Sequence, residues 1–305
     1  MRTTRQERRR TLQRSAEARV PPAMRGPVAL SILPALVLFA LFFLVPLGVL
    51  AVTTFARWDG VDFAFTGWDN YDRLLSDPVF WKSVRNTLFY CAASMLIQVP
   101  LGVAVGMTLA LRMPGWTVFR TVIFIPFVIS GAAYALVFSM FYNPSYGLLN
   151  NLLGPVTGGT RDWLFDSGTA RWAVAGTFVF IIGFVVVAVM AEVAAIPAEL
   201  LEAAEADGAS LVQRQLFIVL PLLRNIIGTV ILVRLLVDIG MFDLVYILTA
   251  GGPNDATTTL ALYAYRSYLH GQWGYANAVG SVILLLGATL IVTVRRVFRI
   301  GERAL

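Results

Sequence analysis

The side chains that carry most enzyme and metal chemistry are nearly missing from these 305 residues: one cysteine, Cys91, one histidine, His270, and one lysine, Lys82. A single cysteine excludes an intrachain disulfide and any metal site built on paired cysteines. The lone histidine reads as a solvated or locally hydrogen-bonded ring. A P-loop for nucleotide phosphates needs Gly-Lys-Ser/Thr. Here Trp81 precedes the lysine, so an ATPase of that type must be another polypeptide. HExxH, a GxSxG-type elbow and a Cys–His pair are also missing, which removes the usual signs of a membrane-embedded enzyme. Charge is scarce too, at 14% of residues, where soluble domains have about a quarter. The net charge of +6 comes almost wholly from arginine. Those arginines gather at the ends of apolar runs, a topology signal rather than a nucleic-acid one.

What is abundant is apolar sequence, 58% of the chain. It falls in six stretches, about 28–55, 86–111, 121–141, 172–191, 225–249 and 275–294, each near the roughly 20 residues that a helix needs to cross a bilayer. The fold class is therefore all-α integral membrane with six transmembrane helices, in a membrane domain over 28–298. Residues 1–27 form a basic tail with eight arginines, which meets anionic lipid and holds the N-terminus inside. The run that follows is too long for the h-region of a signal peptide. Residues 299–305 form a short C-terminus. Of the 24 basic residues, 16 lie in the tail, the loops after spans two and four, and the C-terminus. Seven lie in the other loops, and Arg234 lies within a span. By the positive-inside rule both termini are cytoplasmic. Pro34, Pro46 and Pro126 predict kinks, Gly131 a bend, and Gly102 with Gly106 a close helix contact. Gln98 reads as a core hydrogen-bonding group. Leu148, Leu149, Leu152 and Leu153 predict a small interfacial helix, and Trp58, Trp68, Tyr71 and Trp81 an aromatic belt.

Between spans four and five lies a polar island, EAAEADGASLVQRQLFIVLP, from Glu202 to Pro221. Pro197 suits a first helical turn, and Glu199 and Glu202 suit the positive end of a helix dipole. Gly208 is a C-terminal stop, and Ser210 can cap a second short helix that runs toward Pro221. The residues alone leave two readings, a connecting loop or a helix–turn–helix elbow over 197–221. The spacing Glu202-Ala203-Ala204, three residues, Gly208, nine residues, Ile218, one residue, Leu220-Pro221 resembles the EAA loop of binding-protein-dependent ABC importer permeases, at every fixed position. Glu192 departs from that pattern, which has a small uncharged residue five before the proline. Asn70-Tyr71, Asp77-Pro78, Phe80-Trp81 and Asn86-Thr87 resemble the first external loop and second helix of the carbohydrate and glycerol-phosphate branch, the maltose-permease-like one. Met241-Phe242-Asp243, Thr249-Ala250-Gly251-Gly252-Pro253 and the Tyr263-x-Tyr265-Arg266 stretch resemble its fifth-helix exit.

The resemblance implies the type I ABC importer transmembrane fold in a bacterial inner membrane. It implies that Glu202, Ala203, Ala204, Gly208, Ile218, Leu220 and Pro221 couple the chain to an ATPase. The implied partners are a second related permease chain, two ATP-binding subunits and an external solute-binding protein, besides lipid, and no nucleic acid. ATP and Mg would sit on the ATPase partners, with no cofactor on this chain. The implied cargo is a sugar or related polar solute.

Arg234, Asp238 and Asp243 interrupt the fifth span, and each costs about 2.5–3.5 kcal/mol at a lipid-facing helix centre. They should face protein or water. Arg234 and Asp238, four apart, share a helix face and can pair, either to fix packing or to line a pathway. Asp238, Asp243 and Tyr246 are pathway candidates by position. The rival to an importer permease is an ion-coupled secondary transporter, which these charges would also suit.

Overall fold

The computed structural model describes residues 22–298; the residues read as tail, up to 21, and the C-terminal 299–305 lie outside that range. The chain divides into two compact units, one ending at Val52 and one beginning at Thr53. In the first, the helix starts at Pro22, inside the stretch read as tail. Its part long and apolar enough to cross a bilayer, α1, is Ser31–Thr53. From 31 to 52 none of its residues is buried.

The second unit opens with a hairpin, β1 (Ala56–Trp58) paired antiparallel with β2 (Phe63–Phe65). Then come α2 (Asp69–Ser76) and the long α3 (Pro78–Ala110). Helix α3 begins eight residues before the apolar run at 86, because Asp77 caps it and Pro78 occupies the first turn: the Asp77 Oδ1 accepts from the Val79 N–H at 2.7 Å. Helices α4 (Trp116–Val128) and α5 (Gly131–Phe141) follow, then α6 (Leu148–Thr157), the small helix foreseen from its leucines. Next are α7 (Ala170–Val193), α8 (Ala198–Ala206), α9 (Leu211–Leu222) and α10 (Arg224–Ile239). The chain closes with α11 (Asp243–Thr249), α12 (Leu260–Leu269) and α13 (Trp273–Phe298).

Among the described residues four helices, α1, α3, α7 and α13, are long and apolar enough to cross a membrane by themselves. The third apolar stretch, 121–141, is instead two helices bent by 104° between α4 and α5, and α9 meets α10 at 63°. The fifth stretch, 225–249, also divides, at 240–242 between α10 and α11.

The bend expected around Pro126 and Gly131 is the 104° turn between α4 and α5, whereas at Pro46, where a kink was expected, the helix widens instead. Five-residue π turns at Ala40–Leu44, Ser94–Gln98 and Gln215–Val219 are each followed, after one residue, by Pro46, Pro100 or Pro221. A proline ring clashes with the carbonyl four residues back and offers it no N–H. Widening the preceding turn by one residue moves that carbonyl away, and the N–H before the proline bonds five back: Val45 to Ala40, Val99 to Ser94, Leu220 to Gln215. The helices pass through with the backbone bonded, as an apolar medium requires.

The core of the second unit is built on α3 against α7. A Cβ added to Gly102 would stand 2.6 Å from the Val185 Cβ, and one on Gly106 2.9 Å from that of Val189. The two glycines thus let the backbones approach, as their spacing suggests. Val99, Val103, Val185, Val189, Val219, Leu223 and Val230 form one buried cluster that ties this pair to the end of α9 and the start of α10.

Candidate functional site

The polar island folds as two short helices with a tight turn. Pro197 is the N-cap residue of α8, and Glu199 lies in its first turn. The Gly208 N–H donates to the Glu205 carbonyl at 3.0 Å and the Ala209 N–H to the Ala204 carbonyl at 2.9 Å. This is a Schellman stop, which needs a left-handed residue, and Gly208 has φ 82° with nothing within 4 Å of where a Cβ would be. Ser210 and Gln213 form a reciprocal capping box at the start of α9. An Arg214–Glu205 ion pair of 2.6 Å links the two helices.

None of α8 or the first turn of α9 is buried. Glu202 and Ala203 are exposed, Ala204 is half-buried, and Leu200, Leu211, Val212 and Phe217 present apolar side chains outward at 48%, 48%, 63% and 75% exposure. Ile218 and Leu220 are half-buried, and Leu220 packs on the α3–α7 core; Pro221 is exposed inside α9, which runs on to Leu222. Helix α8, its glycine stop and the cap of α9 therefore form one uncovered elbow, anchored by its distal end.

Three helix interruptions meet elsewhere in the unit. Ser130 caps α5 after the bend from α4. Helix α7 passes through a 3₁₀ turn at Thr177–Val179 and leaves helical geometry before resuming at Gly183. The third break is 240–242. Side chains repair the freed backbone. The Gln98 Nε2 donates to the Ile181 carbonyl at 2.7 Å, while its Oε1 accepts from Ser94 Oγ, and the Tyr134 hydroxyl donates to the Thr177 carbonyl at 2.6 Å. Gln98 is fully buried, the core hydrogen-bonding role read for it.

All three interruptions line one cavity of about 220 Å³, with Gly131, Tyr134, Phe178, Ile181, Arg234, Asp238 and Asp243 among its walls. Arg234 and Asp238 are buried, at 7% and 1% exposure, and paired at 2.6 Å. The Arg234 Nε and Asp238 Oδ2 have no protein partner. Asp243, at the start of α11, is exposed, and Tyr246 lies one turn further on, exposed and stacked on Phe242 at 5.1 Å. Tyr265 completes the aromatic group, 4.9 Å from Phe242 and 5.7 Å from Tyr246. Charge within an apolar run marked Arg234, Asp238 and Asp243; Tyr134 and Gln98 carried no such mark, and Phe242 and Tyr265 stood out only through the fifth-helix resemblance.

The motif residues of the first loop staple the segment after α11. The Asn86 Nδ2 donates to the Asp255 and Thr258 carbonyls at 3.1 and 3.0 Å, and Thr87 Oγ1 accepts from the Leu260 N–H. Arg266 pairs with Asp255 at 2.6 Å and donates to the Ala250 carbonyl. The Tyr263 hydroxyl donates to Asp77 Oδ2 at 2.5 Å. Burial, then that hydrogen bond, pushes the Tyr263 pKa up from its usual range. Among the described residues no cluster of His, Cys, Asp and Glu could hold a metal ion.

Comparison with known proteins agrees with this architecture. Residues 98–304 match the family described as binding-protein-dependent transport system inner membrane component. The trehalose/maltose transport system permease protein MalF of Thermococcus litoralis is 33% identical over 74% of this chain and 78% of its own length. The sulfoquinovosyl glycerol transport system permease protein SmoG of Agrobacterium fabrum is 31% identical over 95% of this chain and 98% of its own. In three dimensions the chain is similar to a subunit of a bacterial ABC transporter that imports the acidic polysaccharide alginate, with TM-score 0.79 at 22% identity, over 89% of this chain and 94% of the other. With that family matched over more than half its length and relatives above 30% identity across most of both chains, this chain belongs to the inner membrane components of binding-protein-dependent ABC transport systems.

Proposed function

We propose that this chain is one of two permease subunits in an ATP-driven importer of a carbohydrate or related polar solute, worked by alternating access. The uncovered elbow carries the proposal. On the cytoplasmic side this reading gives it, a rigid, doubly capped helix pair with apolar side chains turned outward is the kind of patch that another protein covers. The occupant fitting this place is an ATP-binding subunit, with ATP and Mg held there. Closure of two such subunits on ATP would carry α8 and α9 with it. The α3–α7 core, joined to the end of α9 through Val219 and Leu223, would pass that movement to the interrupted helices. The cavity beside Arg234, Asp238 and Asp243 then serves as part of the solute path, opened alternately to either side. An external solute-binding protein delivers the solute; the alginate transporter has also been solved with its ligand-bound periplasmic protein. Six spans with both termini in the cytoplasm, in a bacterial inner membrane, complete the reading. Carbohydrate names among the relatives support the solute class, and family membership disfavours the ion-coupled alternative.

Gly208→Asp tests this. Aspartate at φ 82° strains the Schellman stop and puts a charge on the elbow's turn without touching the cavity. The substituted chain should insert and pair with its sister permease, yet lose ATPase co-purification or leave hydrolysis that no longer responds to the loaded binding protein. Normal attachment and normal stimulation would reduce the elbow to a connecting loop and sink the proposal.

A further inference from the structure

Beside the elbow, the end of α3, the start of α4 and the end of α7 enclose a cavity of about 410 Å³. Val187, Met190, Val193 and Leu201 make part of its wall apolar, and Arg112 and Arg120 make part of it basic. The two guanidinium groups converge on one indole: their Cζ atoms lie 5.9 and 5.0 Å from the Trp116 ring centroid. Neither arginine belongs to an ion pair among the described residues, so two positive charges stand uncompensated beside an apolar trough. Arg112 holds φ 52°, an uncommon conformation for a residue other than glycine. Gly115 is the N-cap residue of α4 and supplies no side-chain cap, which adds the partial positive charge of a helix N-terminus.

Those features match the two halves of one ligand. A soluble anion would use the arginines and leave the trough empty. A zwitterionic lipid would bring its own cation against them. We propose that this cavity binds an anionic phospholipid, its phosphate held by Arg112 and Arg120 and an acyl chain laid along Val187, Met190 and Leu201. Leu201 belongs to α8, so the lipid lies against the first elbow helix and makes its position sensitive to the charge of the surrounding bilayer. The inference rests on the membrane assignment and not on what docks at the elbow.

The test uses the purified full chain in neutral detergent, offered phosphatidylglycerol, phosphatidylcholine or inorganic phosphate, with bound lipid counted by native mass spectrometry. Phosphatidylglycerol should be retained at least about tenfold over phosphatidylcholine, and inorganic phosphate should not displace it. The preference should vanish in R112Q/R120Q, survive in R112K/R120K, and survive in R57Q/R85Q, which removes two arginines away from the cavity, one on β1 and one on α3. Ala194→Trp keeps both charges and fills the trough, so it too should lose the lipid. Equal retention of the two lipids, displacement by phosphate alone, or an unchanged preference in either R112Q/R120Q or Ala194→Trp would overturn the proposal. The headgroup comparison on the unaltered chain and the Ala194→Trp variant decide the matter even where removal of the arginines prevents folding.

Discussion

Arg234 and Asp238 form a 2.6 Å ion pair across one turn of α10, both nearly sealed from solvent, at the point where three helices lose their regular geometry. A pair in such a place does not by itself stabilise a fold, but losing one partner leaves the other as an uncompensated buried charge. Asp238→Ala should therefore lower stability by about 3–5 kcal/mol, read as thermal unfolding of the purified chain. R234M/D238L should recover most of the loss. Stability restored without transport would assign the pair to the solute path; stability and transport restored together would assign it to packing alone.

The approach of α3 to α7 leaves no room for a side chain at Gly102. Gly102→Val should cost at least about 1–3 kcal/mol by overpacking. Val185→Ala, removing the two γ-methyl groups that the new side chain would meet at 2.7 and 3.4 Å while keeping the Cβ at 2.6 Å, should return part of it. A double-mutant cycle measures the coupling, and purely additive effects would argue against the contact.

Asn86 holds two carbonyls on a segment far away in sequence, those of Asp255 and Thr258. Asn86→Ala should cost about 1–3 kcal/mol, since the buried carbonyl groups lose their donor. Amide exchange over residues 250–260 should quicken. Unchanged protection there would show that the staple is dispensable.

The arginine asymmetry and the elbow's place between α7 and α10 predict opposite sides for the turns at Gly67 and Gly208. Reporter fusions ending at Gly67 and at Gly208 should report opposite faces of the membrane. The same face for both would refute the six-span arrangement with cytoplasmic ends.

The elbow was readable almost residue by residue. Its stop at Gly208, its cap at Ser210 and its start at Pro197 are closed by hydrogen bonds or backbone limits within a few residues, so their cause is written locally. That α1, α3, α7 and α13 are long and apolar enough to cross a bilayer, and the small helix at Leu148, follow equally directly from apolar run length. The Arg234–Asp238 pair follows from a spacing of four on one helix.

Other features depend on residues far apart in the chain. The break at 180–182 is held by Gln98, 83 positions away, and nothing near Ile181 announces it. The division of the fifth stretch at 240–242 looked like a continuous span because its apolar content hardly changes there. Prolines marked where a helix needs adjustment, and the structure shows the adjustment at Pro46, Pro100 and Pro221 to be a π turn. Arg112 and Arg120 stand four residues either side of Trp116, a local spacing, but the apolar trough beside them is supplied by α7 and α8, and only folding brought it there. Local sequence thus determines caps, runs and helical spacing, because their interactions close over a few residues. The cavities and helix breaks were decided by tertiary structure, because the groups that satisfy a freed carbonyl or enclose a buried charge come from other helices.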